Sequence, residues 1–351
     1  MNHLKLHVLV LTLLLAACGS MAAPASSPAG SPPPGSKPAA GSASAAAKAL
    51  SIKVGYASLT GNSAPIYIAH DAGFFAKNGL NAESSLISGS PKTIQALVAG
   101  DIDFAIVGSS ATVQANLGGA DLSMIATAAP GLAFRIYAKP PLEKIADLKG
   151  KRIAESIIGS DPDFALRLAL PRYNLAYSDV QIVQLPDGGD PARLTAIQAG
   201  TADAAILTGG NFARAEKDFK LKLILDIGKE DITYEQATVA VNRKYTASHP
   251  EETTRFLRAF SESVHYFQAN RDQTLAILKK YMKVDDPEVL AETWDYSNIL
   301  KVKGLPFVSE PGVQSMLDLV VTANPAAKGH KAAEYIDSSF LSKLEADGFK
   351  G

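Results

Sequence analysis

Apolar and polar residues alternate along the chain as in helices followed by buried strands, and one such unit occurs twice. Residues 91–108 read PKTIQALVAGDIDFAIVG, and residues 191–208 read PARLTAIQAGTADAAILT. Seven of these eighteen positions are identical without a gap. Each copy predicts a helix that begins with proline and ends at Gly100 or Gly200, followed by a short buried parallel strand. The repeat predicts two similar α/β lobes in one chain.

The rest of the pattern continues this alternation. Apolar runs predict further strands at 51–56, 81–87, 121–128, 132–138, 152–155, 180–185, 221–226 and 237–242. Amphipathic periodicity predicts helices at 64–77, at 162–173 with Asp161 as its cap, and at 251–270, 271–282, 287–299, 312–322 and 331–346. Strands that alternate with helices in this order predict parallel sheets with crossover connections.

The order of these units predicts that one lobe is inserted into the other. Lobe I would contain residues 51–138 and 238–351, including a C-terminal helical extension, and lobe II would contain residues 139–237. The extended segments 132–139 and 234–242 would then form a hinge between the lobes. The pattern alone also permits two lobes in series followed by a helical tail.

The first 50 residues predict export and anchoring rather than a fold. Residues 1–17 have the basic start and short apolar core of a signal peptide. Cys18 follows in a Leu-Ala-Ala-Cys sequence that is similar to the bacterial lipobox, so we expect it to carry lipid such as palmitate. Residues 18–50 are mostly Ala, Pro, Ser and Gly, which predicts a flexible tether. The expected location is the cell envelope, lipid-anchored to a membrane and facing the periplasm or the cell exterior.

Charge and catalytic motifs exclude several classes of function. The chain has 34 basic and 35 acidic residues among 351, which gives no basic surface for nucleic acid. Its six histidines are scattered, and it has no metal-protease, serine-hydrolase or Walker A motif. The sequence therefore predicts no catalytic residues, no metal, no cofactor and no enzymatic activity.

Polar residues follow several of the predicted strands in both halves. In parallel sheets, ligands bind beyond the carboxyl ends of the strands, where helix N-termini offer free N–H groups. Each residue alone could be a simple helix cap, but the clustered set predicts a site for a small polar molecule. Asp161 argues against an anion at its own helix, because its carboxylate would already occupy the anion position there. Either the anionic part of the ligand faces lobe I, or the ligand is not strongly anionic. The strand-end residues include Ser58, Thr60, Asn62, Ser90, Ser109, Ser110, Ser160 and Thr208.

Four stretches resemble a known family. They are AHDAGFF at 69–75 with Gly79-Leu80, AGDIDFA at 99–105, DLKGKRI at 147–153 with Gly159-Ser160, and NFARAE at 211–216. In this order and spacing they are similar to substrate-binding lipoproteins of ABC importers. The group includes binders of nitrate, taurine, alkanesulfonates and thiamine pyrimidines, known as NMT1/THI5-like or SsuA-like proteins.

The resemblance implies a type II periplasmic-binding-protein fold, in which a cleft between two α/β lobes closes on the ligand. Family ligand contacts map to Ser58 through Asn62, which include Gly61, to Ser109 and Ser110, and to Gly159 with Ser160. Thr208 is added from the internal repeat. The expected partners are a small organic ligand, either a sulfonate- or carboxylate-like anion or a heterocycle, and a membrane permease with its ATPase. A monomer is expected. A ligand-sensing lipoprotein, or an enzyme on the same fold, are the alternatives.

Overall fold

The computed structural model describes residues 48–186, 189–297 and 302–351, which form two five-stranded sheets with helices packed on them. The predicted signal peptide, Cys18 and the tether up to residue 47 lie outside the described residues. The strands are β1 Leu50–Tyr56, β2 Leu80–Leu86, β3 Phe104–Gly108, β4 Leu122–Pro130, β5 Phe134–Ala138, β6 Arg152–Glu155, β7 Gln181–Gln184, β8 Ala204–Thr208, β9 Lys222–Asp226 and β10 Glu235–Asn242.

The α-helices lie between these strands and, after β10, make up most of the C-terminal part. They are α1 Ala64–Asp71, α2 Phe74–Lys77, α3 Ser90–Ala99, α4 Ser109–Leu117, α5 Asp161–Ala169, α6 Gly189–Gln198, α7 Phe212–Lys217, α8 Arg243–Ser248, α9 Pro250–Ala269, α10 Arg271–Met282, α11 Pro287–Ser297, α12 Glu310–Ala323 and α13 Ser339–Ala346.

The repeated unit has the structure that its pattern predicts. Gly100 directly follows α3 and Gly200 lies two residues after the end of α6, and both have positive φ, at 79° and 75°. Glycine has no Cβ, so it adopts this left-handed conformation at little cost and ends the helix. The strands β3 and β8 then begin four residues later and are almost wholly buried. The prediction of two similar helix–strand units is confirmed.

The two sheets have the same topology. The strand order is β2-β1-β3-β10-β4 in the first sheet and β7-β6-β8-β5-β9 in the second. The prediction of purely parallel sheets is wrong, because β10 runs antiparallel to β3 and β4, and β5 runs antiparallel to β8 and β9. Hydrophobic periodicity reports which face of a strand is buried but not its direction, so the reversed strands were not visible in the pattern.

The chain crosses between the sheets twice, at 131–133 and 227–234, and the two crossings pair. The amide of Gly131 donates to the carbonyl of Tyr234 at 2.8 Å. These crossings lie next to the predicted hinge segments, but the strand pairing shifts the predicted boundaries. Residues Phe134–Ala138, which were assigned to lobe I, pair in the second sheet, and β10 of the first sheet already begins at Glu235.

Two predicted helices are shorter than expected. The helix predicted at 64–77 is broken at Gly73, whose φ is 77°, into α1 and α2. The helix predicted at 331–346 begins only at Ser339, because Ile336 is extended and pairs with Met124 of β4. Asp337 then accepts a hydrogen bond from the amide of Ser339 at 3.0 Å, which favours a helix start at that point.

The C-terminal helices join the lobes rather than extending lobe I alone. The helix α11 contacts α7 of lobe II and the turn at Gly61–Ser63 of lobe I. The helix α12 belongs to a buried cluster that contains Val113 of lobe I and Phe164 of lobe II. Apolar residues of both lobes therefore pack in one buried cluster with α12.

Candidate ligand-binding cleft

A cavity of about 790 Å³ lies between the two lobes at the ends of the strands. The segments that follow β1, β6 and β8 contribute to its wall together with the end of β3 at Gly108, so both duplicated sheets build the cavity. The segment between α10 and α11 also lines the cavity, with Val284, Asp285 and Asp286. This position, beyond the strand ends, is where an open α/β sheet places its ligands.

The sequence-predicted residues divide into two groups in the structure. Five of them line the cavity, and five lie behind its wall. The lining residues are Ser58, Thr60, Asn62, Ser90 and Thr208, and the residues behind the wall are Gly61, Ser109, Ser110, Gly159 and Ser160.

The residues behind the wall have structural contacts instead. A Cβ built on Gly61 would lie 1.9 Å from the hydroxyl oxygen of Ser297, so only glycine lets α11 approach here. Ser109 is fully buried, with its hydroxyl 3.4 Å from that of Thr238. The Ser160 hydroxyl is also buried and has no hydrogen-bond partner in the part of the chain that the structure describes.

Local hydrogen bonds shape the loop after β1. The hydroxyl of Ser63 donates to the carbonyl of Ser58 at 2.8 Å, and so it holds the loop rather than capping α1. The hydroxyls of Ser58 and Thr60 lie 3.0 Å apart. These contacts hold the loop at the cavity wall, and the amide of Ala57 ties its start to the sheet by donating to the carbonyl of Ile106 at 3.0 Å.

Lobe II carries a buried ion pair in the cavity wall, which the sequence reasoning missed. Asp190 and Arg193, both in α6, form a salt bridge of 2.6 Å and are only 6% and 4% exposed. The second carboxylate oxygen of Asp190 accepts from the amide of Thr208 at 2.8 Å and from its hydroxyl at 2.6 Å. Arg193 donates to the carbonyl of Ile206 and the hydroxyl of Ser156, each at 2.7 Å. The pair thus ties α6 to β8 and to the loop after β6.

A comparison of the two repeat copies could have found this pair. Positions 190 and 193 are charged, whereas the matching positions in the first copy are Ser90 and Thr93. A charge that appears in only one of two similar buried units needs a partner in that unit.

Asp161 connects the lobes, and its predicted role as a cap is wrong. It is the first residue of α5, preceded by Ser160. Its carboxylate accepts a hydrogen bond of 2.8 Å from the hydroxyl of Tyr234 in the second crossing. Burial raises the pKa of Asp161 to about 6, although Tyr234 and Ser110 act in the opposite direction. A Cβ built on Gly108 of lobe I would lie 2.1 Å from the Oδ2 atom of Asp161, so the carboxylate reaches across the gap between the lobes.

Two more contacts bridge the lobes. On the side of Asp161, the amide group of Gln114 in α4 donates to the carbonyl of Gly159 in lobe II at 2.7 Å. Elsewhere, Glu292 of α11 accepts hydrogen bonds from the amides of Phe212 and Ala213 at 3.1 and 2.6 Å, which caps α7. Burial raises the pKa of Glu292 to about 7. The lobes are therefore in contact around the cavity.

Two functional features are absent from the described residues. Among the described residues, no group of three or more His, Cys, Asp or Glu side chains is placed to hold a metal ion. In the same ranges, no helix combines the length and apolar character that a membrane crossing requires.

The fold and the interlobe cavity define a two-lobed binding protein of the periplasmic type. Residues 60–274, more than half of the chain, match the profile of the NMT1/THI5-like family, and the chain belongs to this family. The expected family and fold class are confirmed.

Individual relatives agree with this assignment. A binding protein of Brucella abortus (strain 2308) is 28% identical over 250 residues, which cover 70% of this chain and 76% of the relative. A Bacillus subtilis (strain 168) protein named for binding aliphatic sulfonates is 26% identical over 229 residues, 63% of this chain and 67% of the relative. The periplasmic aliphatic sulphonate binding protein SsuA from Escherichia coli superposes with a TM-score of 0.68 at 22% identity, covering 82% of this chain and 97% of SsuA.

Proposed function

We propose that this protein is the extracytoplasmic solute-binding component of an ABC importer. The observation that carries the proposal is the cavity of about 790 Å³ whose wall comes from equivalent loops of both lobes. Such a cavity can enclose a small organic molecule, and family relatives named as binding proteins support the same role. The proposed ligand contacts are Ser58, Thr60, Asn62, Ser90 and Thr208.

The mechanism follows from the two paired crossings. A ligand that touches both lobes binds the closed arrangement more tightly than the open one, so it shifts the population toward the closed form. The backbone at 131–133 and 227–234 would absorb the rotation. A membrane permease with its ATPase would then recognise the closed form. This role requires no chemical step, and we propose that the protein is not an enzyme.

The proposed location is the outer side of a membrane, with lipid on Cys18 and the segment rich in Ala, Pro, Ser and Gly that follows it as the tether. This part of the proposal rests on the sequence. It would place the cleft within reach of a permease while leaving the lobes free to open and close.

A thermal-shift screen with a library of small polar solutes tests the function. Because a ligand that binds only the folded state stabilises it, at least one solute should raise the melting temperature of the full chain. Ser58→Trp should abolish that shift, since the indole would fill the cleft, whereas Leu223→Trp should keep it. Leu223 is an exposed apolar residue of β9 outside the cavity lining. The proposal fails if no solute gives a shift, or if Ser58→Trp binds the hit as tightly as the unmodified protein.

A further inference from the structure

The N-terminus of α4 is a natural anion position that faces the cleft. This helix of nine residues starts at Ser109, directly after β3, and the preceding Gly108 lines the cavity. Free amides and the helix dipole make such an end attractive to a negative group. In many α/β proteins a ligand supplies that group, but here the protein supplies its own.

The group is the carboxylate of Asp161, which reaches α4 from the opposite lobe. Tyr234 donates to its Oδ1 atom at 2.8 Å, and Ser110 at the start of α4 lowers the pKa of the carboxyl. A Cβ built on Gly108 would lie 2.1 Å from Oδ2, so the absence of a side chain at this position makes room for the carboxylate. Asp161 is only 9% exposed but still lines the cavity. Residues from both lobes and from the crossing therefore hold it in place.

We infer that Asp161 determines the charge class of the ligand, by occupying the anion position so that the cleft accepts a solute that is uncharged or cationic at this end. The inference rests on the proposed function and narrows its ligand. The sequence left open an anion or a heterocycle, and Asp161 favours the non-anionic choice. Bringing a sulfonate or carboxylate to this end would place like charges together in a buried setting, which is costly.

The other charges of the lining agree with this assignment. The described lining contains five carboxylates and two guanidinium groups. Both guanidinium groups already have a carboxylate partner, at 2.6 Å for Arg193 with Asp190 and 3.7 Å for Arg214 with Asp218. No cation in this part of the lining is therefore left to neutralise an anionic ligand. Such a ligand would have to compete with the partner of one of the two arginines.

The apolar residues of the lining favour a ligand with an apolar carbon framework. Leu59 and Leu86 are 37% and 40% exposed and both face the cavity, as do Met282 and Val284. A solute with an apolar framework could pack against these residues, and its hydrogen-bond donors could bind the carboxylates. A nitrogen heterocycle or an amine has this chemistry.

Inorganic sulfate is a probe for the anion position that requires no knowledge of the natural ligand. Asp161→Ser vacates the N-terminus of α4, and this variant should gain saturable, sulfate-specific stabilisation in thermal unfolding, measured against chloride at equal ionic strength. We expect it to bind sulfate at least about tenfold more tightly than the unmodified protein, as loss of a neighbouring like charge predicts. Asp121→Asn removes a carboxylate that is 72% exposed and outside the cavity lining, and it should behave like the unmodified protein.

Asp161→Asn protects the test against a folding defect. It preserves the size of the side chain and removes the charge, so it should gain sulfate affinity in the same direction even if Asp161→Ser unfolds. The inference is overturned if the unmodified protein binds sulfate as tightly as the Asp161 variants, or if neither variant gains. It is also overturned if the best hit of the solute screen is an anion whose affinity Asp161→Asn leaves unchanged, although the proposed function would then stand. A screen without any hit counts against the proposed function, and the sulfate comparison still decides the role of Asp161.

Discussion

The two copies of the repeated unit share a hydrogen bond between the strand end and a side chain of the helix start, but the charge of that side chain differs. In lobe I, the hydroxyl of Ser90 accepts a hydrogen bond of 3.0 Å from the amide of Gly108. In lobe II, the carboxylate of Asp190 accepts the matching bond of 2.8 Å from the amide of Thr208. The same strand end is thus fixed to the same helix start by a neutral group in one lobe and by an ionised group in the other.

The difference in charge between the two copies continues one helical turn further along each helix. Thr93 of lobe I donates its hydroxyl to the carbonyl of Ile87 at 2.7 Å and needs no ionic partner. At the equivalent place Arg193 neutralises Asp190 and binds two further elements of lobe II. A duplicated scaffold can therefore keep its geometry while one copy acquires a buried ionic network, provided that both charges appear together.

The largest effect should come from removing one member of the pair. Arg193→Met leaves Asp190 buried without its counter-ion, and such losses cost about 3–5 kcal/mol of the free energy of unfolding. We expect the lower end, about 3 kcal/mol, because Asp190 keeps hydrogen bonds from Thr208 and Asn211. Chemical denaturation measures the loss.

The matched change in lobe I is Thr93→Val, which removes a neutral hydroxyl. We expect it to cost only about 1 kcal/mol. Equal losses for Arg193→Met and Thr93→Val would show that the ionic network gives lobe II no special dependence on its arginine.

Much of the scaffold could be predicted from the sequence, because helix periods, terminal glycines and buried strands are local features. The rule that ligands bind beyond strand ends also selected five residues that line the cavity, namely Ser58, Thr60, Asn62, Ser90 and Thr208. The reversed strands could not be predicted, because apolar periodicity is the same in both directions.

The missed parts of the site depend on contacts between distant segments. Asp161 has the residue type and position of a helix cap, and only the placement of lobe I beside it shows that its carboxylate crosses the cleft. From the sequence alone, Gly61 is a loop residue that could contact a ligand. The local sequence does not show that α11 packs against it near Ser297.

A second difference between the lobes predicts pH-dependent stability. The strand β6 ends at Glu155, which is fully buried and has no hydrogen-bond partner for either carboxylate oxygen within the described ranges. Burial and the nearby Asp163 raise its pKa to about 8, although Arg193 and Arg167 act in the opposite direction. Between the ordinary pKa and about 8, the folded protein holds a proton that the unfolded chain has lost. Stability from this group is therefore complete below the ordinary pKa and is lost as the pH rises.

Glu155→Gln should remove this contribution. At about pH 8 we expect the variant to be more stable than the unmodified protein, and at about pH 5 the difference should be small. Urea unfolding at both pH values measures it. A residual pH slope will remain, since Glu235 is also buried with a pKa raised to about 8.

The lobe I counterpart supplies the control, because β1 ends at Tyr56. Burial raises the pKa of Tyr56 above its ordinary value of 10, so this group stays protonated throughout the tested range. Tyr56→Phe should leave the pH slope unchanged. If Glu155→Gln also leaves it unchanged, the buried carboxyl is not the source of the slope.

The smallest effect tests the neutral version of the shared hydrogen bond. Ser90→Ala removes the acceptor of the Gly108 amide and should cost about 1 kcal/mol, with no dependence on pH because no charge is involved. Hydrogen exchange should report the loss locally, as faster exchange of the Gly108 amide than of its neighbours in β3. Ser88→Ala, two residues earlier on the same cavity wall, should change neither quantity by a comparable amount. If the Gly108 amide remains equally protected in Ser90→Ala, the sheet alone holds this strand end. The equivalent hydrogen bond between Asp190 and Thr208 would then match it in position but not in its contribution to stability.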